Sequence, residues 1–112
     1  MSVAQKAMEE IPFISGYAAV KFTGEIIDAS GDSISGIIGS VKKVVDEYLN
    51  IYRALGEYSV GIPKEILMST SEIFILVRVY YNEEIFQVAV LKSDGNLGYT
   101  RFMMQQYLKE LV

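Results

Sequence analysis

The chain contains no cysteine, no histidine and no tryptophan, and only two of its 112 residues are proline. Without cysteine there is no disulfide framework, no thiol nucleophile and no thiolate-bound zinc. Without histidine the chain lacks the commonest metal ligand and the side chain that titrates near neutral pH, so the usual acyl-transfer triads cannot be assembled. We therefore expect a protein that is not an enzyme and that has neither a metal site nor a cofactor.

Long hydrophobic runs and clusters of positive charge are also missing. The longest strongly apolar stretch, residues 73–81, contains Arg78 and is far shorter than the roughly 20 residues that span a bilayer. The N-terminal residues lack the charged-then-apolar pattern of a secretory signal. The net charge is −4, and the only basic doublet is Lys42-Lys43, so the chain offers no basic stripe to a nucleic-acid backbone. These features predict a cytoplasmic protein that does not bind nucleic acid and does not insert into a membrane.

The residues that are present have an ordinary globular composition, 51% apolar and 21% charged. No repeat or linker divides them, which predicts one domain over residues 1–112. Hydrophobic periodicity and turn residues predict eight elements. In chain order these are a helix over 3–10, strands over 14–22 and 25–30, a helix over 33–55, strands over 65–70, 73–80 and 85–91, and a helix over 97–111.

The long central helix is expected to begin with Asp32 as its N-cap and to end at Gly56. Its apolar residues form a wide stripe that should lie flat on a sheet. They are Ile34, Ile37, Ile38, Val41, Val44, Val45, Tyr48, Leu49, Tyr52 and Leu55. The near-continuous apolar strands over 73–80 and 85–91 are typical of central strands covered on both faces. The prediction is a three-layer α/β/α fold of order α-β-β-α-β-β-β-α, with helices on both sides of a five-stranded antiparallel sheet.

Three small residues, Gly36, Gly39 and Ser40, lie near the start of the predicted long helix, where each glycine costs about 1 kcal/mol relative to alanine. They fall roughly opposite the apolar stripe, on a face shared with Lys43. This face could allow the close approach of a second helix across a dimer axis, or it could be a solvated first turn that tolerates glycine. We predict the dimer contact, because two small residues lie one turn from a third.

The strand over 65–70 is predicted at the rim of the sheet, and the sequence does not protect it. Its uncharged centre consists of Ile66, Leu67, Met68 and Ser69. Natural proteins usually guard such edges with charge or cover. Either the loop over 56–64 covers this edge or another chain pairs with it, and we predict pairing.

Three segments resemble the roadblock/dynein-light-chain family. Residues 14–30, ISGYAAVKFTGEIIDAS, are similar to the family's opening hairpin, and the long helix follows directly, as it does in the family. Residues 96–101, NLGYTR, resemble the start of the family's last helix and are the most specific of the three segments. The sequence departs from the family at residues 21–25, where relatives often carry Asp-x-x-Gly and this chain has Lys-Phe-Thr-Gly.

The resemblance implies a profilin-like roadblock domain that dimerises, with itself or with a paralogue, through the edge strand and the long helix. It also implies a non-catalytic scaffold for a Ras-like small GTPase or a larger assembly. On this hypothesis the polar side of the long helix contacts the partner through Lys42, Lys43, Asp46, Glu47, Asn50 and Arg53. None of the three arginines is an obvious arginine finger, and Arg53 is the only exposed candidate expected among them. The alternative is a small-ligand sensor, although the sequence shows no set of convergent polar residues for a pocket.

Overall fold

The computed structural model of the chain describes residues 1–56 and 64–112. In chain order its elements are α1 (Val3–Glu10), β1 (Ile14–Lys21), β2 (Ile26–Ser30), α2 (Ile38–Leu55), β3 (Glu65–Ser69), β4 (Ile73–Tyr80), β5 (Ile85–Lys92) and α3 (Leu97–Leu111). The predicted element order is confirmed, and every boundary except the start of α2 agrees with the prediction to within one residue. No helix within the two described ranges combines the length and the apolar character needed to cross a membrane.

The five strands form one antiparallel sheet in the order β2-β1-β5-β4-β3. The centre of the sheet joins distant parts of the chain, since Tyr17 of β1 lies opposite Ala89 of β5. Every residue of β5 from Ile85 to Leu91 is buried, because helices cover both faces of the sheet at this point. This burial explains the near-continuous apolar sequence of the strand.

The two faces of the sheet carry different helices. On one face, α2 packs Val41 and Val45 against Val20, Val77 and Val88. On the other face, α1 and α3 pack together over the sheet, and their buried residues include Ala4, Ala7 and Tyr107. The three-layer α/β/α arrangement is therefore confirmed, and among the described elements the long helix is the only one on its side of the sheet.

The long helix begins later than the sequence predicts. α2 starts at Ile38, preceded by Ile37 without a side-chain cap, so the prediction of Asp32 as N-cap is wrong. Residues 31–37 form successive turns instead, and Gly36 therefore precedes the helix. The helix ends at Gly56 as predicted, but this glycine has a φ of −56° and not the left-handed conformation that helix-ending glycines commonly adopt.

The segment over 31–37 is held in turns by contacts with β1 that helical periodicity does not reveal. The hydroxyl of Ser33 donates a hydrogen bond to the carbonyl oxygen of Ser15 at 3.1 Å. Ile34 is only 2% exposed and belongs to the core cluster beneath α2. These tertiary contacts outweigh the weak helix propensity of a segment that contains glycine.

Two glycines allow this segment to cross β1 at close range. Gly31 has a φ of +104°, and a Cβ atom there would lie 2.4 Å from the carbonyl oxygen of Ser15. A Cβ atom on Gly16 would lie 2.6 Å from Cγ1 of Ile34. Any side chain at either position would push the crossing segment away from the sheet.

We expect Gly31→Ala to lower the free energy of unfolding by roughly 2–3 kcal/mol, because alanine adds both a backbone clash and a left-handed residue with a Cβ atom. Gly36→Ala is the matched control, since a Cβ atom there meets no heavy atom within 4 Å. Urea denaturation followed by circular dichroism measures both variants. Equal losses in the two variants would show that the close crossing does not matter.

Candidate protein-interaction surface

β3 is an edge strand, as the sequence predicts. It pairs with β4 from Glu65 to Ser69, and no strand in the described part of the chain pairs with its outer side. Within the described residues no strand occupies its outer backbone N–H and C=O groups, although the carbonyl oxygen of Glu65 accepts from Tyr48, and an edge of this kind can pair with another chain. The predicted edge residues Ile66, Leu67, Met68 and Ser69 all lie on this strand. The alternative cover, the loop over 56–64, falls largely on residues 57–63, which are outside the described residues.

One flank of α2 exposes apolar side chains next to this edge. Val44 is 39% exposed, Ile51 55% and Leu55 39%. Val44 and Ile51 line a shallow depression together with Ile66 of β3. The hydroxyl of Tyr48 donates a hydrogen bond to the carbonyl oxygen of Glu65 at 2.9 Å, which fixes the helix beside the strand. We call Val44, Ile51 and Leu55 the apolar flank.

The apolar flank corrects the sequence prediction in two ways. Val44 and Leu55 were expected on the stripe that lies against the sheet, yet both are substantially exposed. The predicted apolar stripe does not include Ile51. Because the apolar arc of α2 is wider than the surface that the sheet offers, its far side extends past the edge strand.

The predicted small-residue contact is open surface, but its members do not all face the same way. Gly36, Gly39, Ser40 and Lys43 are all exposed. Ser40 lies one turn before Val44, so it is on the same side of the helix as the apolar flank and nearer the start of the helix. Gly39 instead lines a depression formed with β2. The structure therefore brings Ser40 close to the apolar flank and places Gly39 on the opposite side of α2.

The predicted partner-binding residues divide into two groups. The first group lies on the side of α2 that faces the β1–β2 hairpin, where Nζ of Lys42 is 2.7 Å from the carboxylate of Asp46. On the same side, Arg53 donates to the side-chain oxygen of Asn50 at 3.0 Å. This side is a polar surface already organised by contacts within the helix.

The second group, Lys43 and Glu47, lies on the outward side of α2 between the polar surface and the apolar flank. Both residues are exposed. Glu47 lines the same depression as Val44 and Ile51, so a carboxylate borders the most apolar part of the helix surface. The six predicted residues thus do not form a single patch.

No family model and no curated protein matches the sequence. Solved structures match the fold. The roadblock/LC7 domain from Streptomyces avermitilis has a TM-score of 0.82 over 97% of this chain and 91% of that chain, at 9% identity. The chain has the roadblock/LC7 fold.

Two further roadblock-type structures have similar folds. The gliding protein MglB from Thermus thermophilus gives a TM-score of 0.70 at 12% identity and covers 93% of this chain and 78% of that chain. MglC from Myxococcus xanthus gives a TM-score of 0.57 at 17% identity and covers 97% of this chain and 92% of that chain. At these identities the similarity establishes the fold only and assigns no role to individual residues.

In this roadblock fold a single carboxylate, that of Glu65, holds two of the three arginines. Arg101 of α3 donates to it from Nε at 3.0 Å and from Nη2 at 2.8 Å, and Arg78 of β4 donates from Nη1 at 2.8 Å. Hydrogen bonds from Arg101 and Arg78 lower the pKa of Glu65 below its ordinary value, against the opposing effect of partial burial. Arg53 remains exposed, in agreement with the sequence prediction.

Sequence reasoning missed the role of Glu65. Its pairing with Arg78 follows from strand register, since these two residues lie opposite each other in β3 and β4. Its pairing with Arg101 has no local signal, because the two residues are far apart in the chain and meet only when α3 packs on the sheet.

We expect Glu65→Gln to destabilise the protein by about 1–2 kcal/mol at pH 7, since charge-assisted hydrogen bonds from two arginines are weakened. A carboxyl group whose folded pKa is lowered stabilises the fold above its ordinary pKa of 4.5, and this contribution is lost as the pH falls through the lower folded value. The difference between variant and parent should therefore shrink on acidification from pH 7 to pH 3. Urea denaturation at both pH values measures it, with the exposed Glu72→Gln as control; a constant difference would contradict the argument.

Proposed function

We propose that this chain is a non-catalytic regulatory module that pairs with a second roadblock domain and binds a Ras-like small GTPase or a larger assembly. The observation that carries the proposal is the apolar flank of α2 lying beside the unpaired outer side of β3. Two such chains can pair their β3 strands and bury their apolar flanks in one step. The likeness to MglB and MglC supports a role among proteins of this type.

The other edge of the sheet is a poorer site for pairing, which favours β3. On β2, the N–H of Ala29 already donates to the carboxylate of Asp28 at 3.0 Å. The second oxygen of that carboxylate accepts from the N–H of Ala4 at 2.8 Å, which draws α1 against β2. A register shift between Ala19 and Val20 also interrupts the β1–β2 ladder. Edges with local charge, cover and irregularity resist strand addition.

Pairing through β3 also explains why the apolar flank is tolerated on the surface of one chain. Exposed apolar side chains that adjoin one another commonly mark an interaction site. An isologous contact would place the flanks of two α2 helices side by side above the joined strands. The contact would combine backbone hydrogen bonds along β3 with apolar burial along α2.

We expect the protein to self-associate at micromolar concentration and Ile51→Lys to weaken this association strongly, because a charged side chain would be buried in the contact. The fold should survive, since Ile51 is 55% exposed in the single chain. Sedimentation over a concentration series measures the effect. Phe102→Lys is the matched control, as Phe102 is 57% exposed on α3, which lies on the other face of the sheet.

Two results would contradict this pairing mode. If the parent protein stays monomeric throughout the concentration series, this pairing mode is wrong. An unchanged association of Ile51→Lys together with a loss in Phe102→Lys would move the contact to the α3 side. Gly39→Leu tests the predicted small-residue contact separately, because Gly39 lies on α2, whereas Gly36 precedes it, and the added side chain would hold two helices apart.

The polar side of α2 is the proposed contact for a GTPase. Its candidate residues are Lys42, Asp46, Asn50 and Arg53, with Lys43 at its border, whereas Glu47, the sixth predicted residue, lies beside the apolar flank. All six lie on α2, the only described helix on its face of the sheet. Because Arg78 and Arg101 are both engaged by Glu65 and the exposed Arg53 donates to Asn50 of its own helix, we expect any effect on nucleotide hydrolysis to come from reshaping the partner's switch regions.

Charge reversal at Lys43 is the cleanest test of this contact. Lys42 forms an ion pair with Asp46, so its reversal would also disturb α2, whereas Lys43 is exposed and has no ion pair with any residue that the structure describes. We expect Lys43→Glu to reduce the affinity for the partner about fivefold and to alter its salt dependence, as charges at the rim of an interface do. The fold should not change, since Lys43 is exposed. Because Lys43 lies one turn before Glu47 and belongs to the predicted dimer contact, sedimentation of the variant alone separates a loss of partner binding from a change in self-association.

The measurement is binding of the variant to Ras-like GTPases from the same genome, each loaded with GDP or with a GTP analogue. Lys109→Glu on α3 is the control, because it makes the same charge change on the other face of the sheet. Normal binding by Lys43→Glu combined with a loss in Lys109→Glu would place the contact on the α3 side and overturn the proposal.

A further inference from the structure

Glu47 lies at the outward border of the apolar flank, about midway along its length. It lies three residues after Val44 and four before Ile51, and all three residues line one depression with Ile66 of β3. Its side chain forms no salt bridge with any residue in 1–56 or 64–112. Lys43, one turn earlier on the helix, is close enough in sequence to pair with it, but the structure shows no such pair. The depression therefore presents an uncompensated carboxylate.

The two-fold geometry of an isologous contact places this carboxylate near the symmetry axis. When two identical antiparallel helices pack about a two-fold axis, a residue before the axis on one helix meets the residue equally far after the axis on the other helix. If Val44 packs on Ile51 of a second copy, the axis passes midway between them, next to Glu47. The hydrogen bond from Tyr48 to Glu65 places this part of α2 beside the start of β3, so a single two-fold axis can serve both strand pairing and helix pairing.

We propose that Glu47 makes this flank select a different roadblock-fold chain, one that carries lysine or arginine at the place facing Glu47, over a second copy of itself. This inference rests on the pairing mode proposed above. In a homotypic pair, two carboxylates face each other while their surroundings lose water. In the heterotypic pair, the same carboxylate meets a cation. Like-charge contacts of this kind disfavour the wrong partner, while opposite charges favour the right one.

The edge strand carries no free charge that would favour one partner over another. The central residue of β3 is Leu67, and residues 66–69 carry no charge. The only acidic residue of the strand, Glu65, is engaged by two arginines of its own chain. The strand therefore provides general affinity, and Glu47 is the charged group within the contact that can distinguish one partner from another.

A charge-swap experiment on this chain itself tests the inference, with Glu47→Lys as the probe for a basic partner. We expect Glu47→Gln to strengthen self-association about twofold to fivefold over the parent, since the repulsion is removed. Glu47→Lys alone should self-associate as weakly as the parent. An equimolar mixture of parent and Glu47→Lys should associate at least about fivefold more tightly than either alone.

Salt dependence gives a second readout that a purely structural effect would not produce. Rising salt should strengthen self-association of the parent, by screening like charges, and should weaken the mixed pair. Glu9→Lys is the control, because it makes the same change in net charge on α1, on the other face of the sheet. It should give no gain when mixed with the parent.

The outcomes separate this inference from the pairing mode on which it rests. If neither the parent, the variants nor the mixture associates, the pairing through β3 and the apolar flank is wrong. If the parent associates, Ile51→Lys abolishes that association, and the Glu47 variants and mixtures behave like the parent, the pairing mode stands and the selective role of Glu47 is overturned.

Discussion

The carboxylate of Glu65 is the contact on which the interaction surface depends. It joins β3 to β4 through Arg78 and to α3 through Arg101, while the backbone carbonyl of the same residue accepts from Tyr48 of α2. One residue thus fastens the edge strand to its neighbour in the sheet and to the helices on both faces. An edge strand has ladder hydrogen bonds on one side only, so these ties keep it in the geometry that a second strand can match. Such preorganisation lowers the entropy lost on association.

The surface itself follows from a mismatch between the helix and the sheet. α2 has a broad apolar arc, and the sheet ends at a short strand, so no residue in 1–56 or 64–112 covers the far side of that arc. The uncovered side chains lie next to uncovered backbone, which joins an apolar surface to a hydrogen-bonding edge. The opposite border of the sheet differs, because α1 and the carboxylate of Asp28 use its exposed groups locally. The two edges of the sheet therefore differ in how readily they can pair with another strand.

Much of the fold could be predicted from the sequence, but the site could be predicted only in part. The bounds of α1, β4 and α3 follow from periodicity and turn residues. The start of α2 could not be predicted, because Ile34 is held by the close approach of Gly16 and Gly31, which is a tertiary contact. The edge strand was recognisable by its lack of charge. The exposure of Ile51 was not, since periodicity identifies an apolar arc without showing how much of it the sheet covers.

The pairing of β1 with β5 also constrains how the chain acquires its structure. Tyr17 and Ala89 face each other at the middle of the sheet, although most of the sequence separates them. During synthesis, β1 therefore cannot pair with β5 until the last strand has emerged. An N-terminal fragment that lacks β5 cannot complete the core. High contact order of this kind slows folding. The edge at β3 becomes a defined template only after the C-terminal helix has docked, so assembly with another chain follows completion of the domain.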